Sequence, residues 1–416
     1  MPEKNKPTTL HLLGLTPDPL WLTPAAAALI EEADILAGAD RLLDLDLFAR
    51  AKGRKHRLVS PLETWLKELK AFQRKGKKVV VLASGDPNYY GLARKLMTVI
   101  DPTLVTIHPS PTVVQQAFAR LKTGWEQTEA VSLHGRDQQT AFWNALFRAS
   151  HFPGSGYLAV YTDQENPPAV IAKRLLGRGQ PNWRMFVFED LGTQDECHSV
   201  WTLFEAKTRK FSLLNLVVLE CLKRPNPIFL GMQESAYIHE AGLITKREIR
   251  LVTLGLLELR PFHTLWDLGA GSGSISIEAA SIMPHGSIWA VEKSPLRSEQ
   301  IAANRAFFGA TQVEIIEDDA QAAMTHLPPP DRIFIGGGGE HLADIIGAAS
   351  RKLQPKGLIV TNVVGVDALH LAMTAFRQAG LEMSVTQIQA SRSEPLGDSL
   401  HLKPLNQVWL VRGEAK

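Results

Sequence analysis

The stretch WDLGAGSGSISIEAA, residues 266–280, decides the fold of the half of the chain that contains it. A short apolar run ends in Asp267, glycines follow at 269, 271 and 273, and a helical pattern opens at once. A strand that turns over glycines into a helix leaves backbone N–H groups facing outward at the helix N-terminus, the geometry of a nucleotide-type cofactor loop. Working outward, apolar runs and helical stretches alternate: TLWDLG (264–269), SIWAVE (287–292), VEIIED (313–318), RIFIGG (332–337) and GLIVTNVV (357–364), then SVTQIQ and QVWLVR. That rhythm predicts a doubly wound α/β domain.

The first half has the same texture. LHLLGL (10–15), VVVLAS (79–84), LVTIHP (104–109), AVSLHG (130–135), YLAVYT (157–162), MFVFED (185–190) and LLNLVVLE (213–220) read as strands. TPAAAALIEEAD (23–34) and TVVQQAFARL (112–121) read as helices between them. KRPNPIFLGM (223–232), with its two prolines and charged start, is the expected boundary. The division predicted is 1–222, a connecting segment over 223–240, and 241–416.

Bulk properties narrow the function. With 416 residues, 45 Lys and Arg against 43 Asp and Glu, the formal charge is only +2, which argues against a nucleic-acid binder. Cys197 and Cys221 have neither metal-ligand nor disulfide-framework spacing, so no metal site and a reducing compartment are expected. The N-terminus lacks a signal-peptide pattern, and LLNLVVLECL (213–222) is too short and too polar to span a membrane. A cytoplasmic protein without membrane partners is predicted.

Three readings of the 269–273 loop stay open: S-adenosylmethionine (SAM), NAD(H), or a turn without a ligand. A dinucleotide fingerprint asks for G-x-G-x-x-G, but here Ser274 stands at the last position. Glu292 ends the following strand, where a carboxylate accepts from ribose hydroxyls. EDDAQAA (317–323) offers Asp318 or Asp319 and Ala320 to an adenine. These features favour SAM.

HEAGLITKREIRLVTLGLLELRPFHTLWDLGAGSGSISIEAA resembles the opening of the cobalamin-biosynthesis methyltransferases that act on precorrin-6B, and RIFIGGGGE (332–340) is similar to their fourth strand and loop. The resemblance covers about 231–416. It implies a Rossmann-like SAM methyltransferase domain that methylates C-15 and decarboxylates the ring C acetate. Thr245, Gly269, Ala270, Gly271, Ser272, Gly273, Glu292 and Ala320 would then contact SAM.

Upstream, SGDPNYYG (84–91) reads by itself either as a strand-to-helix turn capped by Asp86 or as a ligand loop. It is similar to the G-D-P loop of the tetrapyrrole methylases, a two-lobed α/β family. LLGLTPDPLWLTPAAAALIEEADILAGADRLLD (12–44), VSLHGRD (131–137), PSPTVVQQAFARL (109–121) and DQENPPAVIAKRLLGRG (163–179) resemble the branch that methylates C-5. Gly85, Asp86 and Pro87 would line a second SAM site. One departure stands out: the family's G-x-G-P-G loop is replaced by Gly14-Leu15-Thr16-Pro17-Asp18-Pro19. In this order the two halves resemble the fused C-5,15 methyltransferases (decarboxylating). That resemblance implies a precorrin-6-type tetrapyrrole substrate, one SAM per domain and a homo-oligomer.

Methyl transfer from a sulfonium needs positioning more than acid–base help, so no catalytic triad is expected. The substrate's carboxylates call for cations. Lys246, Arg247 and Arg250 read either as those cations or as a solvated helix face. His134 and Arg136 follow a strand end, where ligands bind, although a structural histidine accounts for His134 equally well. His239 reads as a proton donor or a surface histidine. An RNA methyltransferase, an NAD-linked reductase and a chain whose first half only scaffolds the tetrapyrrole are the alternatives.

Overall fold

The computed structural model describes residues 8–16, 18, 21–45, 51–134, 139–154, 156–240 and 242–415, so Pro17, Pro19 and Arg136 lie outside the described residues. Three sheets carry the fold. The first contains β1 (Leu10–Leu15), β2 (Ile35–Gly38), β3 (Arg54–Arg57), β4 (Val79–Ser84) and β5 (Val105–His108), all parallel, in the order β3-β2-β4-β1-β5. β1 and β4 sit centrally and are apolar almost throughout, because helices cover both faces and every second-residue position is buried. Leu10, Leu12, Val79 and Val81 join one core and Leu13, Leu15, Val80 and Leu82 the other.

The second sheet holds β6 (Glu129–Ser132), β7 (Tyr157–Tyr161), β8 (Trp183–Glu189), β9 (Cys197–Thr202) and β10 (Asn215–Cys221) in the order β6-β7-β10-β8-β9. Only the β6–β7 pair is parallel. β6 ends three residues earlier than AVSLHG suggests, which puts His134 in an exposed turn.

The third sheet contains β11 (Thr264–Leu268), β12 (Ser287–Glu292), β13 (Val313–Glu317), β14 (Arg332–Ile335), β15 (Leu358–Val363) and β16 (Glu382–Ile388). A hairpin of β17 (Ser391–Leu396) and β18 (Ser399–Pro404) follows, and β19 (Val408–Glu414) returns to the sheet. The order is β13-β12-β11-β14-β15-β19-β16, with β19 antiparallel between β15 and β16. A dinucleotide fold runs its six strands in the order 3-2-1-4-5-6. The inserted antiparallel strand therefore separates this sheet from the NAD(H) reading.

The two halves are packed together. Phe147, on the first-half helix Gln139–His151, belongs to the same buried cluster as Ile301 and Phe308 of the second. Thr311 Oγ1 donates to the Trp143 carbonyl at 2.8 Å, and His151 Nε2 lies 2.8 Å from the Phe308 carbonyl. Gly309, at φ +59°, lies where a Cβ would meet the Pro225 ring at 2.7 Å, so only glycine fits this junction of both halves and the connecting chain.

Candidate functional site

At the C-terminal ends of β11 and β12 the glycine loop folds back over the sheet. Gly269, Gly271 and Gly273 all have left-handed φ, at +76°, +59° and +76°, which explains glycine at every second position. A Cβ on Gly273 would also come within 2.9 Å of Ile301. The N–H groups of Gly269 and Ala270 both reach the Val291 carbonyl, at 2.9 and 3.0 Å, and pin the loop to β12. Gly273 then caps the helix Ser274–Ile282.

Glu292 is buried at the end of β12. Its Oε2 accepts the Gly271 N–H at 2.9 Å and its Oε1 the Ser294 N–H at 3.0 Å. Each oxygen keeps a lone pair for a further donor. Beneath the loop, Asp267 has no solvent exposure; Ser276 donates to its Oδ2 at 2.6 Å, while Oδ1 has no partner among the described residues. Burial pushes Asp267 up to about 7 against the Ser276 hydrogen bonds, with the Glu292 charge adding to the rise.

A cavity of about 980 Å³ opens over this loop. It brings together Thr245, Lys246, Gly269, Ala270, Gly271, Ser272, Glu292 and Ala320 from distant parts of the sequence. Asp318 and Asp319 also line it, and the Asp319 side chain caps the turn Ala320–Ala323 through Gln321 N at 2.8 Å. Gly336–Gly339 line it as well, packed directly against the loop: Gly337 N lies 3.3 Å from where a Gly269 Cβ would stand. Gly273 is buried beneath the loop and, like Arg247 and His239, is not among the lining residues. Arg247 turns to Glu248 at 3.0 Å, and His239 Nδ1 lies 2.9 Å from the Glu240 carbonyl.

Arg250 departs from both of its sequence readings, substrate-facing cation and solvated face. It and Glu278 are completely buried, with Nε to Oε1 at 2.7 Å. Its Nη1 donates to the Thr245 carbonyl at 2.6 Å and its Nη2 to the Met232 carbonyl. Glu278 also accepts from Gly231 N, Met232 N and the Tyr237 hydroxyl. The pair thus ties the connecting segment, and with it Thr245, to the helix that begins at the glycine loop. Asn304 does the same from another side, donating to the carbonyls of Ser272 and Ile238 at 2.9 Å each. Neither Glu278 nor Asn304 was visible as a site residue, because each lies inside an ordinary helical pattern.

In the first half, Gly85 has φ +64° and donates to the Leu15 carbonyl at 2.7 Å. A Cβ on Gly14 would collide with the Gly85 carbonyl oxygen and the Pro87 ring, so β1 and the loop after β4 meet only through glycine. Asp86 Oδ1 accepts Asn88 N at 2.8 Å, which is the capped-turn arrangement, and Pro87 is buried beside it. Three tyrosines gather next to this loop: Tyr89, Tyr90 and Tyr161, with ring centroids 5.0 to 6.2 Å apart. Tyr90 reaches from the first lobe to the Ala130 carbonyl of the second at 2.7 Å. Burial is the main cause that holds all three phenols protonated, pushing Tyr89 up to about 12. The YY pair after G-D-P was the available signal for this cluster.

Comparison with known proteins bears on both sites. Residues 9–207 match the family of tetrapyrrole (corrin/porphyrin) methylases, and 235–412 match the precorrin methyltransferase domain. A precorrin-6Y C(5,15)-methyltransferase [decarboxylating] of Sinorhizobium is 33% identical over 95% of this chain and 94% of its own length. The chain belongs to the precorrin-6Y C(5,15)-methyltransferase family. A Mycobacterium tuberculosis member is 29% identical over 79% of this chain and 80% of its own length. A probable cobalt-precorrin-6B C(15)-methyltransferase (decarboxylating) of Pyrobaculum aerophilum is 36% identical over 44% of this chain and 96% of its own length. This family's fused architecture is the fold class the sequence implies: a two-lobed tetrapyrrole methylase followed by a Rossmann-like SAM methyltransferase.

Proposed function

We propose that the chain methylates a precorrin-6-type tetrapyrrole at C-5 and C-15, with SAM as methyl donor, and removes the ring C acetate carboxyl as carbon dioxide. Residues 1–222 carry the C-5 reaction, 241–416 carry the C-15 reaction and decarboxylation, and 223–240 connect them. The reading further takes the chain to work as a homo-oligomer in the cytoplasm; none of its described helices is long and apolar enough to cross a membrane.

The observation that carries this reading is the buried Glu292 carboxylate fixed against the Gly271 N–H at one end of a cavity of about 980 Å³. The residues present fit SAM. Glu292 offers two acceptor oxygens to a ribose diol, the glycine loop admits close backbone approach, and Ala320 with its acidic neighbours lies along the same wall. When bound, SAM supplies an electrophilic methyl group.

The chain's own residues then hold and orient. Glu292 would hold the donor through its free acceptor positions while the glycine loop lets it approach the backbone, and the Arg250–Glu278 pair fixes the Thr245 backbone at the same cavity. Lys246 presents an ammonium to the cavity for a substrate carboxylate. In the first half, Gly85, Asp86 and Pro87 form the donor loop, and the Tyr89 and Tyr161 phenols, kept protonated, are hydrogen-bond donors beside it. With the donor held, the demand left to these residues is to position the substrate carbon in line with it.

Product mass after incubation with SAM and the metal-free six-methyl precorrin tests the reading. Gain of two methyl groups with loss of carbon dioxide is expected. Loss of carbon dioxide with a single methyl gained would reduce the first half to a scaffold. No change on either the metal-free or the cobalt-loaded substrate would overturn the proposal.

A further inference from the structure

A second cavity, of about 900 Å³, lies between the two halves, reached from the starts of β12 and β13 and away from the glycine loop. Its size falls within the roughly 300–1,000 Å³ of small-molecule sites. Three guanidinium groups line it: Arg174 and Arg178 from the first half and Arg305 from the second. Among the described residues that line it, the acidic group is Glu314.

Arg178 is only 7% exposed; its guanidinium lies over the Trp143 ring, 4.0 Å from the centroid, and its Nη2 pairs with Glu314. Its Nη1 is shut off from solvent and has no partner among the described residues. Arg305 donates from Nη1 to the Val313 carbonyl at 3.2 Å, but its Nε too has no partner among the described residues. Trp289 adds an indole N–H without an acceptor among the described residues. Arg174 donates to a neutral group, the Asn166 amide oxygen, at 2.6 Å. His285, also on the wall, is held below its usual value by burial and by Arg148, so it adds no charge at neutral pH. Asn144 Oδ1 likewise has no partner among the described residues, and a half-turn of the amide about Cβ–Cγ presents its NH2 group as a donor instead.

Two charges and three N–H donors therefore find no partner among the described residues. Buried guanidinium groups are normally paired, since an unpaired one forfeits its hydration. Burial and the neighbouring Arg178 charge together press Arg305 down to about 10, as expected for two cations sharing one carboxylate.

We infer that this cavity between the halves is a binding site for an oxyanion, a carboxylate or phosphate group of a small ligand, held by Arg178 and Arg305 with the Trp289 N–H. The forked donors of arginine suit both groups. Because the site is built from both halves, its ligand braces them against each other, and the site is separate from either methylation centre.

Titration calorimetry and thermal unfolding of the full chain test this, with two probes that distinguish the source: tricarballylate for carboxylates and inorganic pyrophosphate for phosphates. Sodium chloride at matched ionic strength is the control. One of the probes is expected to bind and raise the unfolding temperature beyond the chloride effect. Arg305→Gln should weaken that binding about tenfold or more, the loss of one charged hydrogen-bonding group. Trp289→Phe removes a single N–H while keeping an aromatic ring; it should weaken binding a few-fold and leave both methylations unchanged. Should Arg305→Gln prove unstable, the Trp289→Phe titration decides alone. Neither probe exceeding chloride in the unsubstituted chain, or binding untouched by both substitutions, would overturn the inference.

Discussion

Two carboxylates one strand apart, Asp267 and Glu292, meet opposite fates. Glu292 is spent on backbone N–H groups that shape the loop, and its remaining lone pairs face the cavity. Replacing it with alanine removes those acceptors and releases Gly271. The affinity of the second half for SAM should fall roughly 10- to 100-fold, the cost of losing hydrogen bonds to a charged group. C-15 methylation and decarboxylation should fall with it while C-5 methylation persists, as product mass would reveal. Asp267, sealed in the core, is raised from 3.8 to about 7. A raised carboxyl stabilises the fold fully below its unfolded value, and that stabilisation is lost as the pH climbs through the folded one. The chain should therefore lose stability, relative to Asp267→Asn, between about pH 4 and 7, with no further loss above. Denaturant midpoints of the two proteins across that window are the check, and parallel curves would refute the assignment.

At the scale of elements, one buried ion pair gathers much of the connecting segment. Glu278 receives Arg250, Gly231 N, Met232 N and the Tyr237 hydroxyl, all inside the protein. Glu278→Ala strands the Arg250 charge and three donors, for a destabilisation of about 3–5 kcal/mol. Urea unfolding measures it, and a value below 1 kcal/mol would mean the segment is held by other contacts. This pair also shows where sequence reading ends. β1, β4, β12 and β15 were legible because strands buried on both faces write continuous apolar runs. The edge strands β3 (RKHR) and β9 (CHSVWT) were not, since their side chains face water and carry no such pattern. The hairpin β17–β18 was missed for the same reason, its leucines 396, 400 and 402 being exposed. Glu292 and the glycine loop were readable because their chemistry is local to a strand end. Arg250 was misread because its burial is decided by a segment that wraps over the helix, which no helical period records.

The whole molecule is two methylase units joined by a contact surface, and that surface contains the least legible groups of all. Arg178, Arg305 and His151 acquire their surroundings only when the halves dock. His151 stacks on Phe147, with centroids 4.1 Å apart, and lies between the Phe147 and Phe308 carbonyls. The short Nε2 contact to Phe308 is a donation from His151, since a carbonyl has no proton to give, and Nδ1 lies 3.0 Å from Ser150 Oγ, whose own proton goes to the Phe147 carbonyl. Burial is the main cause that lowers His151 from 6.5, against the hydrogen bonds to the two carbonyls, which raise it. The sign is then fixed: as the pH falls below 6.5 the unfolded chain takes up a proton that the docked state resists, so stability declines with acidification. His151→Gln keeps a neutral donor and loses the titration. The unfolding temperature of the native chain should drop between pH 7 and 5 more steeply than that of the variant, with proteolysis at 223–232 accelerating in step as the halves part. If both proteins lose stability equally over that range, His151 is not what couples docking to pH, and His263 and His285, also lowered by burial, become the groups to exchange.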